Sequence, residues 1–156
     1  MLASEIRRLR PEDIVLNVGI GHEYSQSVFY LMNIDTMSTF SKEQAYRLCK
    51  EFGFTIVDQK IVEIRTMNEI SDELFDGRYP DFISVDVEGL DYEIMCSLDF
   101  KREGAYVICT ETLEYSENDT GKKNDNIASI LLDNGYFIYA DTRINTIFVR
   151  NDWYYS

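Results

Sequence analysis

The sequence is poor in histidine and cysteine, which build zinc sites and disulfide frameworks. It contains one histidine and three cysteines, and Cys49, Cys96 and Cys109 share no close spacing. Because each cysteine falls within an apolar helix or strand pattern, we predict buried free thiols in a reducing compartment. The chain also lacks any apolar run that approaches the roughly 20 residues of a membrane-spanning helix. We therefore predict a cytoplasmic protein without a membrane span.

Positive charge is scarce as well. Lysine and arginine number 15 against 28 aspartate and glutamate residues, which gives a formal net charge of −13. The basic residues form no long run, so the composition argues against binding to the phosphate backbone of a nucleic acid. A solvated acidic surface accounts for the charge.

The length and composition predict one globular domain. Of the 156 residues, 45% are hydrophobic, which is enough to bury a core. The polar residues 1–10 end at Pro11, and we predict that they form a tail or a helical turn. Residues 11–156 are then predicted to form a single domain.

The stretch from Asp81 to Tyr115 predicts a strand, a helix and a second strand. An apolar run from Phe82 to Val87 is followed by Leu90, Ile94 and Leu98 at helical spacing, with Asp91 as a candidate cap, and then by a second apolar run at 105–109. Such a unit almost always joins parallel strands, whose carboxyl ends meet at the same edge of a sheet, where ligands bind in open α/β folds. We therefore expect the acidic residues that follow the two strands to share one edge: Asp86, Glu88 and Glu111.

The flanking sequence predicts further helices and strands. Short strands are predicted over Ile14–Val18 and Ser27–Met32, and a helix between the Ser41–Gln44 capping box and Gly53. Another strand is predicted within 54–64, a helix within 66–75, and a polar loop over 116–125 at the site edge. After a helix that begins near Asn124, strands at 136–140 and 144–149 are joined by a link short enough to require an antiparallel hairpin.

The segment Gly19-Ile20-Gly21 is a weak candidate for a nucleotide-binding loop. Tyr24 takes the place of the third glycine of the G-x-G-x-x-G pattern, and a strand rather than a helix is predicted to follow. A tight turn that uses the freedom of two glycines is the favoured interpretation.

Several segments resemble one enzyme family. DFISVDVEGLDYEIMCSLDF, VICTETLEY and NGYFIYADTRINTIFV resemble the C-terminal half of FkbM-type methyltransferases, and so does the earlier DIVLNVGIG. The D-V-E-G motif, with a following strand that ends in E-T, is the most specific part. The resemblance runs from about Pro11 onward and implies an α/β fold: a partial class I methyltransferase (Rossmann-like) sheet, mostly parallel and ending in an antiparallel hairpin.

The resemblance also implies an activity. It implies an O-methyltransferase that uses S-adenosylmethionine and acts on a hydroxyl of a sugar, glycolipid or polyketide-like acceptor. By this interpretation, the catalytic residues are Asp86, Glu88 and Glu111. The cofactor-binding residues are Gly19, Ile20 and Asp86, and the acceptor-binding residues are Tyr115 and Asn145.

Simpler roles stay open for the acidic residues. Asp86 is also placed to cap the following helix, and Glu88 to lie in solvent. Asp86 and Glu111 together are a candidate pair of ligands for Mg²⁺, which prefers carboxylate oxygens, although carboxylates at strand ends often hold no metal.

The resemblance implies that the first two strands and the glycine-rich cofactor loop of the family would be absent. A sheet without them would expose an unpaired edge, which a homodimer or a separate N-terminal partner would cover. Two alternative functions therefore stand beside the methyltransferase: a non-catalytic methyltransferase-like subunit that needs a partner or self-association, and a metal-dependent α/β hydrolase.

Overall fold

The computed structural model describes residues 2–87, 90–113 and 122–156. The chain divides into two compact units: Met1–Gly19 with Tyr24–Ile64, and Ile20–Glu23 with Arg65–Ser156. The elements are a mixture of helices and strands, so the α/β class is confirmed. Two predicted site residues, Glu88 and Tyr115, lie outside the described residues.

The first unit is built on a three-stranded sheet. Its strands are β1 (Gly19–Ile20), β2 (Ser25–Met32) and β3 (Ile56–Arg65), in the order β1-β3-β2, and the last residues of β1 and β3 belong to the second unit. β2 and β3 pair antiparallel. The predicted strand at 27–32 and the predicted strand within 54–64 are therefore confirmed, with boundaries shifted by one or two residues.

Two helices belong to this unit, α1 (Leu2–Leu9) and α2 (Lys42–Phe52), and a short 3-10 turn spans Asp35–Met37. The N-terminal segment is thus helical rather than an irregular tail. The Ser41 hydroxyl accepts a hydrogen bond from the Gln44 amide at the start of α2, and Gly53 ends the helix at a φ of 72°. Both predicted ends of α2 are confirmed, because the cap and the left-handed glycine are local signals.

The predicted strand over Ile14–Val18 is wrong. These residues have no regular structure, and the side chain of Ile14 is 63% exposed. An apolar run becomes a strand only where a neighbour pairs with its backbone groups, and no strand of the described chain does so here. The predicted glycine turn is wrong too, since Gly19 lies in β1 and neither Gly19 nor Gly21 has a positive φ.

In its described residues, the second unit contains a four-stranded sheet and four helices. The strands are β4 (Phe82–Val85), β5 (Val107–Glu111), β6 (Tyr136–Asp141) and β7 (Asn145–Arg150), in the order β4-β5-β7-β6. The helices are α3 (Met67–Leu74), α4 (Asp91–Ser97), α5 (Asp125–Asp133) and α6 (Asn151–Tyr154).

The strand directions confirm part of the predicted topology. β4 and β5 are parallel, as predicted for the β4-α4-β5 unit, and β6 and β7 form the predicted antiparallel hairpin. β5 and β7 are also antiparallel. The sheet is therefore mixed, and the prediction of a mostly parallel sheet is wrong, because the hairpin inserts β7 directly beside β5.

The core of the second unit joins one face of this sheet to α4 and α5. Ile83 and Val85 of β4 and Ile108 of β5 alternate with more exposed residues, as in a sheet that buries one face. They pack with buried side chains from the helices, among them Ile94, Met95, Ile127 and Leu131.

Two further predictions concern the cysteines and a membrane-spanning helix. The three cysteines are free, as predicted, but none is buried: Cys96 is exposed, and Cys49 and Cys109 are partly buried. Among the helices of the described residues, none combines the length and the apolar character needed to cross a membrane.

Candidate functional site

The two acidic strand ends meet at one edge of the four-stranded sheet. In the parallel pair, Val85 lies opposite Thr110, so Asp86 and Glu111 are the next residues at the carboxyl ends of β4 and β5. Asp86 is exposed and Glu111 is half-buried. The prediction that Asp86 and Glu111 share an edge is confirmed, because the crossover through α4 makes their strands parallel.

The hairpin adds two more residues to this edge. Asn145, the first residue of β7, lies opposite Glu111, and β6 ends at Asp141, which lies opposite Thr146. We call Asp86, Glu111, Asp141 and Asn145 the carboxyl edge. The structure thus brings together three of the residues that the sequence placed at the site, Asp86, Glu111 and Asn145, and adds Asp141.

A row of buried polar side chains lies directly behind the carboxyl edge. Five polar or charged residues of the described chain are buried, and four of them belong to this row: Asp91, Thr110, Thr112 and Thr146. The Thr110 hydroxyl donates a hydrogen bond to the Asp91 carboxylate, with 3.3 Å between the oxygens. The hydroxyls of Thr112 and Thr146 lie 2.6 Å apart. Buried polar groups are costly unless paired, and hydrogen bonds pair this row.

Lys123 joins the row from the segment before α5. Its ammonium donates hydrogen bonds to the hydroxyls of Thr112 (2.9 Å) and Thr146 (3.2 Å) and to a carboxylate oxygen of Asp141 (2.7 Å). The Arg143 backbone amide donates to the same Asp141 oxygen at 2.6 Å. Hydrogen bonds from Lys123 first, and from Arg143 second, hold the pKa of Asp141 below its ordinary value, so Asp141 is ionised at neutral pH.

Neither predicted capping role at α4 is found. The helix is preceded by Leu90, with no side-chain hydrogen bond at the cap, so Asp86 does not cap α4. Asp91 is the first helical residue rather than the cap, and its carboxylate is turned to Thr110 instead. The cap prediction failed because a buried hydroxyl on β5 offers Asp91 a partner that local sequence does not reveal.

The residues predicted to bind a cofactor lie in β1. A Cβ added to Gly19 would come within 2.5 Å of the Ile64 side chain and 3.1 Å of that of Phe40, so a larger residue there would force these neighbours within the first unit to shift. Ile20 packs against the core of the second unit. Cofactor binding by Gly19 and Ile20 stays a prediction, as do the roles of Glu88 and Tyr115.

A metal centre gains no support from the described part of the chain. Among these residues, no group of three or more histidine, cysteine, aspartate or glutamate side chains is arranged to hold an ion. The carboxyl edge instead carries the Lys123 ammonium next to Asp141.

The sequence analysis overlooked Lys123, Thr110 and Thr112. A signal for the threonines was present, since Thr110 and Thr112 have the same phase as Ile108 in an alternating strand, and Thr146 has the phase of Phe148. Polar residues in the buried phase mark a polar network or a site. No comparable signal marked Lys123, which lies in a polar run.

A shallow cavity of about 280 Å³ lies at the opposite end of β5 and β7. It is lined by Glu103, Tyr106, Arg150, Asp152 and Trp153. The Tyr106 and Trp153 rings stack at 5.4 Å, and the Arg150 guanidinium contacts both oxygens of Asp152. Glu103 pairs with Arg78, which does not line the cavity, at 3.0 Å. The charged groups of this cavity are therefore already paired, and the carboxyl edge remains the better candidate.

Comparison with known proteins finds a family match. The family described as the methyltransferase FkbM domain matches residues 3–138, which is most of the chain. No curated protein and no solved structure matches significantly. The matched region contains Asp86, Glu111, Thr112 and Lys123 and ends before Asp141 and Asn145.

Proposed function

We propose that this chain, which belongs to the FkbM methyltransferase domain family, is an S-adenosylmethionine-dependent O-methyltransferase. The proposed acceptor is a hydroxyl of a sugar, glycolipid or polyketide-like molecule. The proposed reaction centre is the carboxyl edge of the four-stranded sheet, and the proposed fold of the second unit is a Rossmann-like methyltransferase sheet.

The observation that carries this proposal is the register of the parallel pair. The pairing of Val85 with Thr110 brings Asp86 and Glu111 to neighbouring strand ends, and the family match covers both. In open α/β sheets, the crevice outside the carboxyl ends of the strands is the usual ligand site. The antiparallel β7 adds Asn145, whose amide both donates and accepts hydrogen bonds, directly opposite Glu111.

The side chains of the carboxyl edge are of the types that can orient an acceptor hydroxyl and accept its proton. S-adenosylmethionine, when bound, supplies a methyl group on a positively charged sulfur. The acceptor oxygen would bond to the methyl carbon while the carbon–sulfur bond breaks and neutral S-adenosylhomocysteine leaves. The hydroxyl proton would pass to the exposed carboxylate of Asp86, which is the proposed general base. Glu111 and Asn145 are proposed to orient the acceptor by hydrogen bonds, since alignment supplies much of the rate of a displacement.

The same residues fit part of the cofactor. Carboxylates accept hydrogen bonds from ribose hydroxyls and from an ammonium group, both of which S-adenosylmethionine carries. Asp86 is proposed to hold one of these groups, and the buried Thr110–Asp91 pair supports the strand end beside it. The acidic character of the edge favours neutral acceptors over phosphorylated or carboxylated ones, because like charges repel.

Calorimetric titration of the purified chain with S-adenosylmethionine tests the proposal. We expect binding in the micromolar range and transfer of a tritiated methyl group to members of a panel of methyl glycosides and polyketide alcohols. S-adenosylhomocysteine should compete with the cofactor. Absence of binding at millimolar cofactor would overturn cofactor use by this chain.

One observation favours a second candidate, a methyltransferase-like subunit that binds a partner or a second copy of itself. Among the described residues, β4 is an edge strand of its sheet, and Phe82 on it is 57% exposed. An edge strand offers unpaired backbone groups to another chain. Light scattering at micromolar concentration separates the candidates: a dimer that binds no cofactor supports the subunit, and a monomer that binds cofactor excludes it.

A further inference from the structure

We propose that Lys123 is a positioning residue for the carboxyl edge: its ammonium fastens the end of β5 to the β6–β7 hairpin and so holds Glu111 and Asn145 in register. The inference rests on the proposed function for its catalytic meaning. The effect of Lys123 on the positions of these strand ends can be measured without any acceptor.

The hydrogen-bonding capacity of Lys123 matches its surroundings. A lysine ammonium has three N–H donors, and three acceptors lie within hydrogen-bond distance of it: the hydroxyls of Thr112 and Thr146 and the carboxylate of Asp141. Two of these acceptors belong to threonines that are only 3% and 4% exposed. Movement of the ammonium would give up hydrogen bonds to two buried hydroxyls and to a carboxylate, which costs free energy and favours one position.

Each contact of Lys123 lies one residue from a site residue or at a strand end. Thr112 follows Glu111, Thr146 follows Asn145, and Asp141 is the last residue of β6. Three separate parts of the second unit are thereby joined at one atom: β5, the hairpin, and the segment that leads into α5.

Backbone hydrogen bonds extend the same connection. The Thr112 amide donates to the Ile144 carbonyl at 3.0 Å, and the Asn124 amide donates to the Thr112 carbonyl at 2.6 Å. The Lys123 side chain therefore acts at a point where the main chain already crosses between β5 and the hairpin. If the Lys123 side chain is removed, these main-chain hydrogen bonds remain. The ionic contact between Lys123 and Asp141, which resists sliding of one strand end against the other, is lost.

The charge of Lys123 is neutralised where it lies. Asp141 pairs with it at 2.7 Å, and the pKa of Asp141 is lowered mainly by this contact. The ammonium therefore organises the edge rather than presenting a free positive charge to an acceptor, and the carboxylates Asp86 and Glu111 remain the groups that define the chemistry.

The chain offers a matched control for this test. Lys122 is the preceding residue and is exposed, so Lys122→Met changes the charge and the side chain in the same way outside the row. Lys123→Met removes the ammonium and keeps the length of the side chain, whereas Lys123→Arg keeps a positive charge and several donors.

Amide hydrogen exchange measured by NMR is the first readout. For Lys123→Met we expect exchange at the amides of Thr112 and Arg143 to accelerate by about 10- to 100-fold, with the Ile108 amide unchanged. We also expect the side-chain amide signals of Asn145 to shift. Lys122→Met should match the wild type in all of these, and Lys123→Arg should restore most of the protection.

Steady-state methyl transfer from S-adenosylmethionine to a methyl glycoside is the second readout. Lys123→Met should lower kcat by about 10- to 100-fold while KM for the cofactor changes by less than about threefold, since misplaced groups slow the chemical step. Lys123→Arg should recover activity. If Lys123→Met fails to fold, Asp141→Asn takes its place, with acceleration expected at the same amides.

Two outcomes separate this inference from the proposed function. A wild-type chain that transfers no methyl group, but in which Lys123→Met loosens Thr112 and Arg143, overturns the proposed function and supports the fastening. Alternatively, the wild-type chain is active, and Lys123→Met matches Lys122→Met in amide exchange, in the side-chain amide signals of Asn145 and in kcat. That result overturns the positioning role alone. Acceleration at Ile108 to the same extent as at Thr112 also overturns it, because the effect is then global.

Discussion

The hydroxyl of Thr110 donates a hydrogen bond to the carboxylate of Asp91, and this contact joins the first turn of α4 to β5 inside the second unit. Both residues are buried, with Thr110 fully so and Asp91 at 5% exposure. A carboxylate in the first turn of a helix is also stabilised by the backbone dipoles of that turn. The position of α4 relative to the carboxyl edge therefore depends on a pair of polar residues rather than on apolar packing alone.

Asp91→Ala should destabilise the second unit by about 1 to 3 kcal/mol, because the change removes a buried charged acceptor and leaves the Thr110 hydroxyl unpaired. Glu93→Ala, at an exposed position on the same helix, is the matched control and should fall within about 0.5 kcal/mol of the wild type. Urea unfolding followed by fluorescence of Trp153, the sole tryptophan, measures both. Equal midpoints for the two variants would contradict the role of Asp91.

Gly104→Ala should be far more damaging than Gly135→Ala. Both glycines have positive φ, 96° and 88°, but a Cβ at Gly104 would lie 2.1 Å from the carbonyl oxygen of Tyr79, whereas nothing lies within 4 Å at Gly135. We expect Gly135→Ala to cost about 1 to 2 kcal/mol from backbone strain alone. Gly104→Ala should cost at least about 2 kcal/mol more, because the backbone must move to relieve the clash. Thermal unfolding by circular dichroism measures the difference, and similar melting temperatures would refute it.

Tyr136 should make the protein sensitive to alkali. Its hydroxyl donates to the Ala105 carbonyl at 2.6 Å, and burial raises the pKa of Tyr136 to about 12, from an ordinary value of 10.0. A raised pKa in the folded state means that stability is fully present below pH 10 and is lost as the pH rises towards 12, since the unfolded chain releases the proton first.

Tyr136→Phe isolates this effect. The variant should be less stable than the wild type at neutral pH by about 1 kcal/mol, because it leaves the Ala105 carbonyl without its donor. The difference between the two proteins should shrink between pH 10 and 12. Urea midpoints measured across that range test the prediction, and a difference that stays constant with pH would contradict it.

Asp86→Asn should abolish most of the proposed methyl transfer while leaving the fold intact. Asp86 is exposed, so its replacement should change stability by less than about 0.5 kcal/mol. Loss of a general base lowers kcat by about 100- to 10,000-fold. Asp81→Asn is the matched control, since Asp81 is an exposed aspartate just before the other end of β4. Tritium transfer from labelled cofactor provides the rates, and an unchanged kcat for Asp86→Asn would remove this residue from the mechanism.

Local signals in the sequence were sufficient for most of the helices and for the hairpin. The Ser41 cap and Gly53 bracket α2, and the apolar period of α3 fell within the predicted range. The short link after Asp141 required antiparallel strands, and β6 and β7 are antiparallel. These features follow from chemistry within a few residues of one another, where the sequence carries the whole physical cause.

Predictions failed where the cause lies farther along the chain. Ile14–Val18 has the composition of a strand, but no strand in the described part of the chain pairs with it. Asp91 is a residue type that often caps helices, but its carboxylate accepts a hydrogen bond from a buried hydroxyl on β5. The sheet is mixed because β7 lies next to β5, and strand order cannot be read from periodicity.

The sequence by itself determined that the chain is an α/β protein in which the acidic residues Asp86 and Glu111 lie at the ends of two parallel strands, because the crossover through α4 has a fixed topology. It also carried the family resemblance through the D-V-E-G motif. Only the tertiary structure decided what surrounds these strand ends: Asn145 opposite Glu111, and Lys123 between Thr112, Thr146 and Asp141. The reason is that these contacts join residues from different strands, and their partners are chosen by the register of the sheet rather than by their neighbours in the chain.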